Sequence, residues 1–267
     1  MSERLRTPGV ASVTGIETRP LPETCASPPV VWIRHDHVCY IGPDLGVDMH
    51  SAAVAVLSIG LDAPLTLETS GQGAITARSV YAPARAPHRV IAPEGRILLF
   101  FVEPAREQIE FVAAAMRRFN GPYGLDHRRE DELLAAGRGY AVERLVSIAT
   151  HSVQITDPRI GHVTADIRAD PRRMFRASTA ASEVGLSPSH FLRLFAQETG
   201  TTYRRYQQWA RLMYAAKGML AGHDLTRCAV DAGFASLSHY SDTFHGTFGI
   251  APSDALIKSS LRLYADP

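Results

Sequence analysis

Ala181-Ser182-Glu183-Val184-Gly185-Leu186-Ser187-Pro188-Ser189-His190-Phe191-Leu192-Arg193-Leu194-Phe195 is echoed later in the chain by Ala229-Val230-Asp231-Ala232-Gly233-Phe234-Ala235-Ser236-Leu237-Ser238-His239-Tyr240-Ser241-Asp242-Thr243-Phe244. In both copies a small alanine precedes a glycine by four positions, and large apolar residues follow at helical spacing. That pattern describes a helix, a tight turn and a second helix packed across the first. The alanine lets the two helices approach closely, and the glycine takes the positive φ of the turn. Ser187 and Ser236 are natural N-caps for the second helix of each pair, the first with Pro188 behind it.

Between the copies, Thr202 to Ala221 places Tyr203, Tyr206, Ala210, Met213 and Met219 or Leu220 on one face of a single long helix. About 20 residues at 1.5 Å each give a rod of about 30 Å. One turn of duplex DNA is about 34 Å, the separation that brings two recognition helices into successive major grooves on one side. A rigid spacer of this length suits that task better than it suits an arbitrary bundle.

With Ala181, Gly185, Leu186-Ser187, Leu194-Phe195, Glu198-Thr199-Gly200, Arg211-Leu212, Ala215, Leu220, Ala229, Gly233-Phe234, Ser238, Phe244, Phe248-Gly249 and Pro252 in these positions, the stretch from about Asp157 to Leu256 resembles the AraC-type DNA-binding domain of bacterial transcription regulators. The resemblance implies seven helices, two helix-turn-helix units and sequence-specific binding to double-stranded promoter DNA, with RNA polymerase as a further partner. It also places Ser189, Leu192 and Arg193 at base-contacting positions of the first unit, and Leu237, Ser238, His239 and Asp242 at the groove-facing positions of the second.

From the residues themselves, Arg193 lies two positions after the apolar Phe191 and so faces away from the core, with Ser189, His190, Leu192 and Gln197 as exposed neighbours. An arginine there suits a bidentate pair with guanine O6 and N7. Arg172, Arg173, Arg176, Arg204 and Arg205 are candidate phosphate partners. The second unit differs: Ala235 to Gly249 contains no lysine or arginine, and Asp242 stands where the resemblance leads one to expect a basic residue. The first unit is therefore expected to dominate affinity.

The remainder of the chain is organised otherwise. With 28 basic and 27 acidic residues the protein carries a formal charge of +1, which excludes a bulk polyanion binder. Cys25, Cys39 and Cys228 are odd in number and scattered, without disulfide or metal-type spacing. No apolar run has the length of a membrane span, and Met1 to Pro29 has no signal-peptide pattern, so a cytoplasmic location is expected. Residues 1–29 read as a flexible tail. From 30 onward short β-rich runs alternate with turns, with strands expected near Val30–Arg34, His37–Ile41, Ala53–Leu61, Pro64–Leu67, Ala74–Val80, His88–Ile91 and Ile97–Val102. Helices are expected over Arg106–Phe119 and Glu130–Thr150, covering an open barrel end or forming a dimer surface. The expected fold class is α+β: a cupin-like barrel with following helices over 30–156, then an all-α double helix-turn-helix domain over 157–267.

Such a barrel holds one small ligand. The region resembles the cupin-like sensor domains that precede this type of DNA-binding domain, whose metal-bearing relatives need two closely spaced histidines, a glutamate and a later histidine. Here Ser51-Ala52 follows His50, no glutamate follows in place, and only His88 matches the last ligand. No metal and no other cofactor is expected. His50 and His88 instead suit an organic effector, with Trp32, Tyr40 and Arg78 as wall residues. His35-Asp36-His37 reads as surface or pocket mouth. No nucleophile elbow, phosphate loop, dinucleotide fingerprint or zinc-protease motif is present. The expectation is a homodimeric, effector-controlled regulator without catalytic residues; the alternatives are a cupin-type enzyme fused to a DNA-binding domain and a barrel that serves only dimerisation.

Overall fold

The computed structural model describes residues 29–34, 37–71, 73–150, 155–173, 176–259 and 262–265. Residues 1–28, His35, Asp36 and 151–154 lie outside these, and with them most of the expected tail and the start of the link to the second half.

Among the described residues eight strands come first: β1 (Val30–Ile33), β2 (His37–Pro43), β3 (Val56–Gly60), β4 (Leu65–Thr69), β5 (Gly73–Ala77), β6 (Ser79–Ala82), β7 (His88–Ile91) and β8 (Arg96–Val102). Helix α1 (Arg106–Ala114), the hairpin β9 (Met116–Asn120) and β10 (Tyr123–His127), α2 (Glu130–Arg138) and α3 (Val142–Ala149) complete the first half. Seven helices follow among the described residues: α4 (Pro158–Ala169), α5 (Ala177–Glu183), α6 (Pro188–Thr199), α7 (Tyr203–Leu220), α8 (Leu225–Asp231), α9 (Leu237–Phe248) and α10 (Pro252–Ser259). The strand β11 (Arg262–Ala265) then returns to pair in parallel with β1. The fold is α+β, with the strands concentrated in the first half and the double helix-turn-helix in the second.

The large sheet runs β11-β1-β2-β8-β3-β6-β10-β9, and a small one, β5-β4-β7, faces part of it. Strand alternation sorts the large sheet into two faces. Cys39, Ile41, Leu57, Ile59, Leu98, Phe100 and Val102 point one way and are covered by Val112 of α1, Leu133 and Ala136 of α2, and Leu145 and Ile148 of α3. Tyr40, Val80, Ala82 and Ile97 point the other way, against Leu65 and Leu67 of β4 and Val90 of β7. Ile33, Val38, Val56 and Phe101 share that second face but meet Trp209 and Ala216 of α7 instead. The helices after the barrel thus pack on the back of the sheet and close no barrel end.

Two expected helices are corrected. Arg106–Phe119 ends as a helix at Ala114; Met116 to Asn120 is a strand antiparallel to β10. Apolar spacing at 109, 112, 116 and 119 imitated a helix, but Gly121-Pro122 is a two-residue hairpin turn, with Gly121 at φ 56°, and Phe119 is 53 % exposed. Glu130–Thr150 is two helices, broken at Gly139-Tyr140, where Tyr140 adopts φ 54°. The strand expected over Ala74–Val80 is likewise divided between β5 and β6.

In the second half the repeat is carried into matching backbone geometry. The N–H of Leu186 donates to Ala181 O at 2.8 Å, and that of Phe234 donates to Ala229 O at 3.0 Å. Both turns pivot on a glycine in the left-handed region, Gly185 at φ 67° and Gly233 at φ 78°. Ser187 and Ser236 cap α6 and α9 by accepting from the N–H groups of His190 and His239. Helix α7 serves both units: Tyr203, Tyr206 and Ala210 pack with Phe191 and Phe195, whereas Leu212 and Ala215 pack with Phe234 and Tyr240.

Candidate functional site: a two-helix nucleic-acid interface and an interdomain cavity

Burial decides which residues of the two recognition helices can reach a partner. On α6, Phe191 and Phe195 are fully buried, which turns Ser189, His190, Leu192, Arg193 and Gln197 outward. On α9, Tyr240 is fully buried, and Leu237, Ser238, His239 and Asp242 are exposed. Leu192 and Leu237 are among the exposed large apolar residues, at 43 % and 37 %. Exposed apolar side chains of this size are a common mark of a surface that binds a partner. The two helices stand at opposite ends of α7, whose 18 residues span about 27 Å.

The surrounding cations are not equivalent. Arg193 and Arg204 are exposed and have no ion-pair partner among the described residues. Arg172 is paired with Asp170 at 2.9 Å and lies over the Tyr214 ring at 5.9 Å; Arg173 approaches Glu183 at 3.9 Å. Arg205 is only partly exposed, and its guanidinium donates to Ser51 O at 3.2 Å and Ala52 O at 3.4 Å, which anchors α7 to the sheet domain and removes it as a phosphate partner. Arg211 is buried, donating from Nε to Pro171 O at 3.1 Å. The exposed stretch of the second unit, Ala235 to Gly249, has no lysine or arginine of its own, and His245 is engaged with Asp48 at 3.2 Å.

The two halves meet over an apolar seam with polar edges. Phe101, Trp209 and Phe248 form an aromatic triangle with centroids 5.2 to 6.2 Å apart. Thr201 Oγ1 donates to Ala53 O at 3.1 Å, the N–H of Ser51 to Gly246 O at 3.4 Å, and Arg168 to Glu103 at 2.6 Å. Beside the triangle lies a cavity of about 120 Å³ between Val31, Ile33, Val38, Tyr40, Leu99 and Phe101 of the sheet and Met213, Ala216, Met219, Phe244 and Phe248 of α7 and α9. A recess of about 30 Å³ adjoins it, lined by Ser58, His50 and His88 among others.

The five expected effector residues divide. His50 and His88 are brought together, ring centroids 4.7 Å apart, by a backbone bridge in which each N–H donates to the other's carbonyl. Burial lowers both imidazole pKa values, and His50 beside it helps hold His88 at about 4. Tyr40 lines the cavity, its hydroxyl donating to Pro43 O at 2.7 Å. Trp32 is elsewhere: strand alternation puts it opposite Cys39 on the helix-covered face, 6.2 Å from Tyr140. Arg78 is also elsewhere, donating to Gly60 O at 3.1 Å between strands. His37, read as surface or pocket mouth, is 3 % exposed and stacked on Phe100 at 5.0 Å. Among the described residues no group of three or more His, Cys, Asp or Glu surrounds the His50–His88 pair or any other point closely enough to hold a metal ion.

The α7 and α9 wall of the cavity escaped sequence reasoning. Met213 and Met219 read there as the buried stripe of a spacer, and only the unusual number of large apolar residues on α7 hints at a second packing partner. Ser58 and Asp48 carried no signal.

Comparison with known proteins follows the same division. Residues 180–256 match the family model described as a helix-turn-helix domain. Across most of the chain the fold is similar to that of an apo ToxT variant, with one lysine replaced by alanine, from Vibrio cholerae strain SCE256. The identity is 13 % and the TM-score 0.52, covering 83 % of this chain and 97 % of that one. It is likewise similar to ToxT from Vibrio cholerae O395, at 14 % identity and a TM-score of 0.50, covering 87 % and 97 %. A transcriptional regulator with an AraC-type DNA-binding domain from Chromobacterium violaceum is 24 % identical over 38 % of this chain and 91 % of its own, with a TM-score of 0.35. No curated protein matches the chain. Among the described residues no helix is long and apolar enough to cross a membrane.

Proposed function

We propose, from the helix-turn-helix domain matched over residues 180–256, that the chain is a cytoplasmic, AraC-type, sequence-specific transcription regulator whose promoter binding is controlled by a small organic effector. In this reading residues 1–29 are a tail, 30–156 sense the effector and dimerise, and 157–267 bind DNA. RNA polymerase is a further partner, and the chain has no catalytic role. The observation that carries it is the paired exposure of α6 and α9 at the two ends of one rigid helix, each held by the same turn.

Arg193, Ser189, His190, Leu192 and Gln197 would read bases in one major groove, and Leu237, Ser238, His239 and Asp242 would face the next. Arg172, Arg173 and Arg204 would hold phosphates, the first two after exchanging their acidic partners. The effector would occupy the interdomain cavity, with His50, His88 and Tyr40 in its wall. Because α7 and α9 form the other wall, a ligand there acts directly on the spacing of the recognition helices, without relying on the linker. Control then requires only that the ligand bind the DNA-competent and incompetent arrangements with different affinity.

The test is selection from a random duplex pool with the full-length protein, followed by fluorescence anisotropy on the selected site. Two recurrent half-sites about one helical turn apart are expected within each bound duplex. Binding that is indifferent to sequence and vanishes with salt would overturn the assignment.

A further inference from the structure

The cavity and the recess adjoin, with Leu45, Val47, Leu99, Phe101 and Phe248 in the walls of both. Among the described residues, the larger part has no charged side chain in its lining. Tyr40, its one hydroxyl, already donates to Pro43 O. The recess, at about 30 Å³, has room for one or two heavy atoms, a water needing about 10–15 Å³ on this measure. All the polar chemistry of the site is there.

Four side chains supply it. Asp44 is occupied, Oδ1 accepting from Gly46 N at 2.8 Å and Oδ2 from Ala92 N at 2.7 Å. His50 Nδ1 contacts Asp48 O at 2.9 Å, and His88 Nδ1 contacts Ala86 O at 2.8 Å. A carbonyl only accepts, so each Nδ1 carries the proton. Burial keeps both rings neutral near pH 7, which leaves each Nε2 as a bare lone pair. Ser58 is 1 % exposed, and its Oγ has no hydrogen-bond partner among the described residues. The recess therefore offers two acceptors and one hydroxyl of either polarity, and no cation.

We propose that the cavity is built for an uncharged amphipathic alcohol: a hydrocarbon body between the sheet and α7/α9, and a hydroxyl that donates to Nε2 of His50 or His88 and bonds to Ser58. The assignment rests on the effector role proposed above and names its ligand class. A carboxylate would face two lone pairs with only the Ser58 hydroxyl to answer it, and burying an ionised group so poorly paired is strongly unfavourable. An ether or a plain hydrocarbon would leave Ser58 and both Nε2 atoms unsatisfied.

The full-length protein would be loaded with N-phenyl-1-naphthylamine, an uncharged apolar fluorophore, and challenged at pH 8 with 1-decanol, decyl methyl ether and decanoate. Decanol is expected to displace the probe at a concentration at least about tenfold below the ether, even though the ether is the more apolar. It should also outcompete decanoate. In Ser58→Ala the advantage of alcohol over ether should shrink at least threefold, with probe binding retained. Equal displacement by alcohol and ether, or tighter binding of decanoate, overturns the ligand class. Failure of a different kind is separable: if the probe is not bound, or remains bound when Ala216→Trp fills the cavity, the effector site itself is wrong.

Discussion

The N–H of Asp48 donates to the carbonyl of Gly249 across 2.7 Å, which fastens the residue ending the second recognition helix to the loop that carries His50. Gly249 caps α9 in the left-handed region, and a β-carbon there would stand 2.7 Å from His50 Nδ1. The polar end of the cavity and the C-terminus of α9 are therefore in direct van der Waals contact.

Gly249→Ala should break this contact. The new methyl would meet Asp48 O at 2.6 Å and impose φ 71° on a residue with a β-carbon. A loss of roughly 1–3 kcal/mol is expected. Gly246→Ala, one turn earlier on the same helix, meets nothing within 4 Å. It should stabilise by roughly 0.5–1 kcal/mol, the helix-interior preference for alanine. Urea midpoints at unchanged m-value measure both, and equal signs would disprove the packing described.

Arg193→Ala should cost about 1–3 kcal/mol, or about 5- to 150-fold, on a selected duplex and far less on a scrambled one. Arg204→Ala should weaken both alike and lower the salt slope by about one. Asp242→Asn removes a carboxylate from the exposed side of α9, so affinity for arbitrary duplex should rise at low salt and the gain should fade as salt screens it. Anisotropy titrations at several salt concentrations separate the three. An Arg193→Ala loss of the same size on both duplexes would show that this arginine reads no base.

How far the sequence foretold this arrangement depended on whether a feature was local. The two turns were legible because each is a short pattern: an alanine, a left-handed glycine and a serine cap. Strands β1, β2, β7 and β8 were legible from apolar runs between turn residues. The β9–β10 hairpin was not, because Met116 and Phe119 fit a helical period as well as they fit a strand. Trp32 was placed in the pocket because composition does not say which strand face turns inward; register with Cys39 does. The cavity wall on α7 and α9 depends on docking between residues more than 100 positions apart, and no periodicity reports that. Arg205 shows the same limit, since only the docked carbonyls of Ser51 and Ala52 distinguish it from Arg204.

Acid should loosen the cavity before it unfolds the helical half. His88 is 2 % exposed and titrates at about 4 in the folded protein, against 6.5 in an open chain. Below pH 6.5 the unfolded chain takes up a proton that the folded one refuses, so this contribution is complete above 6.5 and is lost as pH falls toward 4. The loss at pH 5 is on the order of 2 kcal/mol. His50 is shifted in the same direction. Urea denaturation at pH 7 and pH 5 should show His88→Gln losing about that much less stability than the unaltered protein over the interval. An identical pH dependence in the two proteins would place the acid sensitivity elsewhere.

Trp209 should report the seam between the halves. It lies against Phe101 and Phe248, each at 6.2 Å, and is 7 % exposed. Trp32 is the other tryptophan, so Trp32→Phe makes emission specific to Trp209. In that background Phe101→Ala removes one corner of the triangle and should cost about 3 kcal/mol as a core truncation. Phe191, Phe195 and Tyr203, which hold the first helix-turn-helix unit, do not touch Phe101. Water should therefore reach Trp209 and shift its emission to the red while the far-ultraviolet helical signal persists. A loss of both signals together would mean that the two halves have no separable stability. Unchanged emission would mean that Trp209 is held by α7 alone, and the seam would then lose its claim to connect cavity and recognition helices.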